Sequence, residues 1–184
     1  MPIPDSVDPR DALLLVIDMQ QRLLPHIAER ERVQRQVLRM MRAARELEIP
    51  IRVSEQYPKG LGATVETIAA RIPADAERIE KASFSVCGDA PVSQLVPAER
   101  GVVLLVGIET HVCVQLTALD LLRAGLRPIV LADAVGSRRP EDRSVALERM
   151  RSAGVDITTV EAQIYDMMVR SGTDLFKRLL PILK

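Results

Sequence analysis

The chain has 184 residues, 47% apolar and 27% charged, and its 25 basic and 25 acidic side chains cancel to a formal charge of zero. That length suits one domain, 1–184, with a sizeable core, and the charge balance offers no electrostatic footprint for a polyanion. Aromatic residues are 2% and Trp is absent, so a base-stacking platform is not expected and no nucleic-acid partner is read.

Met1 to Arg10 carries two acids, three prolines and no apolar stretch, which is not the pattern of a secretory leader. No apolar run approaches the ~20 residues that span a bilayer, so no membrane association is expected. Two cysteines without a leader do not make a disulfide framework, and a reducing, cytoplasmic location is the simpler expectation.

Ala12 to Ile17 is a continuous apolar run, the pattern of a strand buried on both faces of a parallel sheet. Val33, Val37, Met40, Met41, Ala44 and Leu47 follow at helical spacing. Pro50 punctuates, and Ile51 to Val53 begins a second strand. Gln56 to Gly62, with Pro58, Gly60 and Gly62, reads as a loop. A short strand is predicted over Glu77 to Lys81 and a short helix over Ala90 to Glu99. Val102 to Val106 is a second doubly buried strand, and Val114 to Leu122 a helix ended by Gly125. Arg127 to Ala132 predicts a strand, Pro140 to Ala153 a helix, Val155 to Thr159 a last strand. Glu161 to Val169 and Asp174 to Leu183 read as helices. The alternation predicts an α/β fold: a three-layer αβα sandwich around a mainly parallel, roughly six-stranded, Rossmann-like sheet.

Ligands of open parallel sheets bind beyond the carboxyl ends of the strands. Five reactive side chains fall there: Asp18, Glu55, Lys81, Cys113 and Asp133. Three form a chemically complete set. Asp18 can take a thiol proton, Lys81 can stabilise the thiolate and orient the carboxylate, and Cys113 can attack an electrophilic carbon. A helix N-terminus beside Cys113 is expected to lower its pKa and to offer N–H groups to an oxyanion. Each member also has an ordinary alternative. Cys113 can be a small core hydrophobe, Asp18 a cap for the segment from Gln20 to Leu24, and Lys81 a solvated surface residue. Cys87, near a loop, reads as a packing cysteine.

Four segments, in order along nearly the whole chain, carry a family resemblance. They are Leu15-Val16-Ile17-Asp18-Met19-Gln20, Lys81-Ala82-Ser83-Phe84-Ser85, Gly107-Ile108-Glu109-Thr110-His111-Val112-Cys113-Val114 and Val130-Leu131-Ala132-Asp133-Ala134. The sequence resembles the isochorismatase-like cysteine hydrolases, the superfamily of nicotinamidases and N-carbamoylsarcosine amidohydrolase. Residues 55–62 and 107–109 look most like its isochorismatase-domain-containing subgroup. The resemblance implies Asp18 as general base, Lys81 as its cationic partner and Cys113 as nucleophile. It further implies a cis peptide at Ile108–Glu109, an oxyanion hole from the Glu109 and Cys113 amides, and a homo-oligomer, dimer or tetramer. The implied reaction is hydrolysis of a small amide, imide or related C–N bond through a thioester, although some members cleave a vinyl ether without a covalent cysteine.

Metal-binding relatives place Asp and His ligands after the second strand, where this sequence has Ser54-Glu55-Gln56-Tyr57-Pro58. With only His26 and His111 in the chain, a site built on several imidazoles is not available, so neither a metal nor another cofactor is expected. His111 is expected to face away from Cys113. Glu109 is compatible with selection of a cationic or hydrogen-bonding small molecule, or with a subunit contact. The expected pocket walls are Leu23, Leu24, Gln56, Tyr57, Phe84 and Glu109. Two other function classes stand beside the hydrolase: a silent scaffold that keeps the fold, and a thiol redox sensor using Cys113.

Overall fold

Along β1 (Ala12–Ile17) every residue is buried, and side chains alternate between two cores. Leu14 and Val16 enter one apolar cluster and Leu13, Leu15 and Ile17 the other, as the period-2 geometry of a central strand requires. A computed structural model describes residues 6–184; the N-terminal stretch read as lacking a leader therefore lies partly outside the described residues. After β1 come α1 (Arg30–Glu46), β2 (Ile51–Gln56), the single turns α2 (Pro58–Leu61) and α3 (Glu66–Ala69), β3 (Arg78–Lys81) and the short α4 (Val92–Leu95). Then follow β4 (Val102–Ile108), α5 (Gln115–Arg123), β5 (Arg127–Gly136), α6 (Pro140–Ala153), β6 (Asp156–Thr158), α7 (Val160–Met168) and α8 (Asp174–Leu183).

The six strands lie in the order β3-β2-β1-β4-β5-β6, and all neighbours are parallel. Val33, Val37, Met40, Met41 and Ala44 of α1, with Ile164 of α7 and Leu179 and Ile182 of α8, cover one face. Leu95 of α4, Ala118 and Leu121 of α5 and Leu147 and Met150 of α6 cover the other. The chain is thus a three-layer αβα sandwich, as expected.

Strand order reverses between β1 and β4, so a crevice opens beyond their carboxyl ends. Gly107 controls how closely these two ends approach. Its φ is +115°, and a Cβ there would sit 2.0 Å from the Ile17 carbonyl oxygen, so only glycine fits. The register between β4 and β5 also shifts between Leu105 and Gly107.

Three local differences from the sequence reading matter for the site. The segment read as a loop over 56–62 holds the turn α2. β2 runs to Gln56, three residues past Val53. Between β4 and α5 stands a π-helical turn, Thr110–Val114, a local over-winding often found at functional sites.

Candidate active site

Asp18 is the first residue after β1 and is fully buried. Its φ of +51° is a left-handed conformation that Asp tolerates better than most residues, and it turns the chain sharply out of the sheet. Ser54 Oγ donates to Asp18 Oδ1 at 2.8 Å, and Asp18 Oδ2 pairs with Lys81 Nζ at 2.7 Å. Asp18 therefore caps no helix with its carboxylate. Lys81 ends β3 with its side chain fully buried, so it is not a solvated surface lysine. Its ammonium also donates to Gln56 Oε1 at 2.6 Å, with the Phe84 and Ser83 carbonyls at 3.2 and 3.3 Å. Cys113 Sγ lies 3.5 Å from the same nitrogen. The structure brings Asp18, Lys81 and Cys113 together.

Cys113 lies within the π turn and is 6% exposed. Its thiol is pushed up to about 12, chiefly by burial and next by the charge of Asp18, against which Lys81 pulls only in part. This corrects the expectation of a thiol lowered by a helix dipole. Desolvation and a nearby carboxylate both disfavour the thiolate, and they outweigh the ammonium. At rest the sulfur carries its proton, and a base must remove it. The Ile108–Glu109 peptide is cis.

Two of the five strand-end residues serve the scaffold instead. The Glu55 carboxylate accepts from the Thr64 N–H and hydroxyl at 2.7 and 2.6 Å. Asp133 Oδ1 accepts from the Val160 N–H at 2.8 Å and so satisfies the first turn of α7. His111 is committed away from the thiol, with Nδ1 3.0 Å from Ser137 Oγ. Cys87 is half-buried in a short turn, and burial raises its thiol too.

The expected pocket walls divide. Leu24 is 5% exposed and packs into the core beneath α1, so it lines nothing; the 3-10 turn Leu24–His26 rotates it inward. Gln56 serves as a partner of Lys81, a role that its position in a supposed loop concealed. Tyr57 and Phe84 are 60% and 59% exposed beyond β2 and β3. Leu23 and Glu109, with His26 and Arg138, line a cavity of about 300 Å³. There Arg138 donates to Glu109 Oε2 through its backbone N–H at 2.9 Å and its Nε at 3.1 Å. The Glu109 charge is thereby balanced, which removes the reason to expect a cationic substrate. Among the described residues, the terminal NH2 groups of Arg138 have no hydrogen-bond partner. A larger cleft of about 440 Å³ lies between α1 and α8, away from these residues.

The donor set speaks to a metal. Among the described residues, no three His, Cys, Asp or Glu side chains gather to hold an ion. At the carboxyl end of β2, Ser54 is spent on Asp18, Glu55 on Thr64 and Gln56 on Lys81. No helix of the described residues is long and apolar enough to cross a membrane.

Ser54, Gly107 and Arg138 were not singled out in the sequence. Ser54 and Gln56 share one face of β2, and extending that strand by one alternation reveals both. The strained Gly107 and the reach of Arg138 leave no such trace.

Comparison with known proteins places these features in a family. A Dictyostelium discoideum protein named Isochorismatase family protein 1B is 37% identical, over 97% of this chain and 89% of its own. The Mus musculus Isochorismatase domain-containing protein 2A is 36% identical, over 96% and 84% of the two chains. A solved structure from Caenorhabditis elegans, named MAR1 ribonuclease, superposes with a TM-score of 0.91 at 37% identity, covering 96% of this chain and 91% of that one. The sequence profile described as Isochorismatase domain matches residues 12–162. That span opens on the first residue of β1 and closes inside α7, and the chain belongs to the isochorismatase-domain family of hydrolases.

Proposed function

We propose that this chain is a metal-independent cysteine hydrolase that cleaves a small amide, imide or related C–N bond. The observation that carries this reading is one buried ammonium, Lys81 Nζ, 2.7 Å from Asp18 Oδ2 and 3.5 Å from Cys113 Sγ. A carboxylate, a cation and a thiol held in contact form a nucleophile with its base and its counter-charge.

Asp18 takes the Cys113 proton as the sulfur adds to the carbonyl carbon. Lys81 stabilises the negative charge on sulfur as it develops. The C–S bond forms, the carbonyl π pair moves to oxygen, and the amides of Glu109 and Cys113 receive that oxyanion. The tetrahedral adduct collapses, the C–N bond breaks, and Asp18 returns its proton to the leaving nitrogen. Water then attacks the thioester with Asp18 again as base. It releases a carboxylic acid and restores the thiol. Because the resting thiol holds its proton to about 12, Asp18 does the work at neutral pH that a pre-formed thiolate does in other cysteine enzymes.

The substrate is a small molecule. The terminal N–H groups of Arg138, beside Leu23 and the paired Glu109, favour one bearing a hydrogen-bond acceptor. Ribonuclease is the name of the C. elegans relative; for this chain, carbonyl chemistry suits a thiol better than phosphodiester cleavage. We also expect a homo-oligomer, since Tyr57 and Phe84 stand exposed beside the site.

The test is turnover across a panel of small amides and imides, with RNA included. Wild type releases ammonia or an amine from at least one amide and leaves RNA intact. Cys113→Ala loses at least ~10³-fold in kcat, and quenched wild type yields an acyl adduct on Cys113 by mass spectrometry. Full activity of the alanine variant, or cleavage of RNA alone, overturns the reading.

A further inference from the structure

Lys81 Nζ carries three N–H groups and faces more acceptors than it can serve. The two short contacts are Gln56 Oε1 at 2.6 Å and Asp18 Oδ2 at 2.7 Å. The Phe84 carbonyl at 3.2 Å, the Ser83 carbonyl at 3.3 Å and Cys113 Sγ at 3.5 Å share the remaining N–H groups. The Asp18 contact is an ion pair that falls outside hydrogen-bond geometry, so the short bond to Gln56 is the one that fixes the rotation of the ammonium. The geometry of the ammonium is therefore decided by whatever holds Gln56.

Gln56 is held by three hydrogen bonds. Its Nε2 donates to the Ala82 carbonyl at 2.8 Å. Its backbone N–H donates to Gln20 Oε1 at 2.8 Å, and its carbonyl accepts from Gln20 Nε2 at 3.0 Å. Gln20 is fully buried and is itself tied to the Gly62 carbonyl at 2.7 Å. Gln56 also stands opposite Lys81 in the β2–β3 register. The orientation of its amide is unambiguous, because an ammonium cannot accept and a carbonyl cannot donate.

We infer that Gln56 is a positioning residue: it anchors one corner of the Lys81 ammonium so that its charge stays against Asp18 and another N–H is aimed at the nucleophile. The inference rests on the thiol-nucleophile reading above. Gln56 touches no reacting atom. Its neutrality matters as much as its reach. Lys81 is left with a single carboxylate partner, so the ammonium, Asp18 and a neutral thiol sum to zero charge. A second carboxylate at this position would make the cluster negative and oppose ionisation of the sulfur. An apolar side chain would free one N–H, and the ammonium would turn toward the Ser83 and Phe84 carbonyls and away from Sγ.

The readout is alkylation of Cys113 by iodoacetamide between pH 7 and 10.5, followed by mass spectrometry, with Cys87 in the same molecules as reference. It needs no substrate. Gln56→Glu slows Cys113 about tenfold at pH 9 and moves its profile to higher pH, because a like charge nearby shifts a titration by roughly one unit. Gln56→Met, which keeps the length and loses the acceptor, slows it roughly threefold; in turnover it lowers kcat and leaves KM within about twofold. In both variants Cys87 reacts as in wild type. Wild-type rates at Cys113 in Gln56→Met overturn the inference even if Gln56→Glu fails to fold. Faster labelling of both thiols also overturns it, since that marks a merely structural role through local opening. If Cys113→Ala instead keeps full turnover, the nucleophile reading fails while the effect of Gln56 on thiol titration stands apart from it.

Discussion

The Lys81–Asp18 pair is the most exposed point of the design, because neither side chain touches solvent. Two charges removed from water carry a desolvation penalty that their attraction offsets only if every remaining donor and acceptor is met. Here Ser54 meets the carboxylate and Gln56 meets the ammonium. Removing one charge strands the other. Lys81→Met is expected to cost about 3–5 kcal/mol in urea unfolding, the usual penalty for an uncompensated buried charge. Adding Asp18→Leu to it should return a substantial part of that loss, although both variants remain inactive. Additive destabilisation in the double variant would mean that the two charges do not depend on each other.

At the level of elements, the approach of β1 and β4 sets the spacing of base and nucleophile, and Gly107 permits that approach. Gly107→Ala places a methyl against the Ile17 carbonyl and forces an unfavourable φ. The expected loss is about 2–4 kcal/mol. Any folded fraction should show a longer Asp18–Cys113 separation and kcat at least tenfold lower; wild-type stability would show that the strands part at no cost. Sequence pattern made some elements plain and hid others. Pro140 and Gly154 bracket α6, so its ends were readable from breakers. The continuous apolar runs of β1 and β4 announced doubly buried strands. The apolar run of β2 stops at Val53, because Ser54, Glu55 and Gln56 follow it. The strand continues, and alternation sends Ser54 and Gln56 to the charged cluster and Glu55 to Thr64. The π turn holding Cys113 has no compositional signature, since one extra residue in a turn changes geometry without changing periodicity. The thiol pKa was unreadable for a related reason. The helix N-terminus is local in sequence, while the burial and the Asp18 charge that raise the thiol arise from packing and from a residue 95 positions away.

For the whole molecule, the raised thiol links folding to alkaline pH. Cys113 holds its proton to about 12 in the native state, against 9.0 for an ordinary cysteine. Its contribution to stability is therefore fully present below pH 9 and is lost as pH rises from 9 toward 12, where the unfolded chain releases a proton that the native state retains. At pH 10.5 the linkage amounts to about 2 kcal/mol, from 1.36 kcal/mol per pH unit above 9. For a chain of this length, that is a Tm lowered by roughly 4–8 °C. Other groups that ionise in this range act equally on wild type and on Cys113→Ala, so the difference between the two isolates the thiol. From pH 8 to 10.5, calorimetry should show wild type losing several degrees more than Cys113→Ala. Cys87→Ala should track wild type more closely, because that thiol is only half-buried and its hydrogen bond with Ser85 works against the rise. Parallel melting curves for wild type and Cys113→Ala would mean that the sulfur ionises as freely in the fold as out of it.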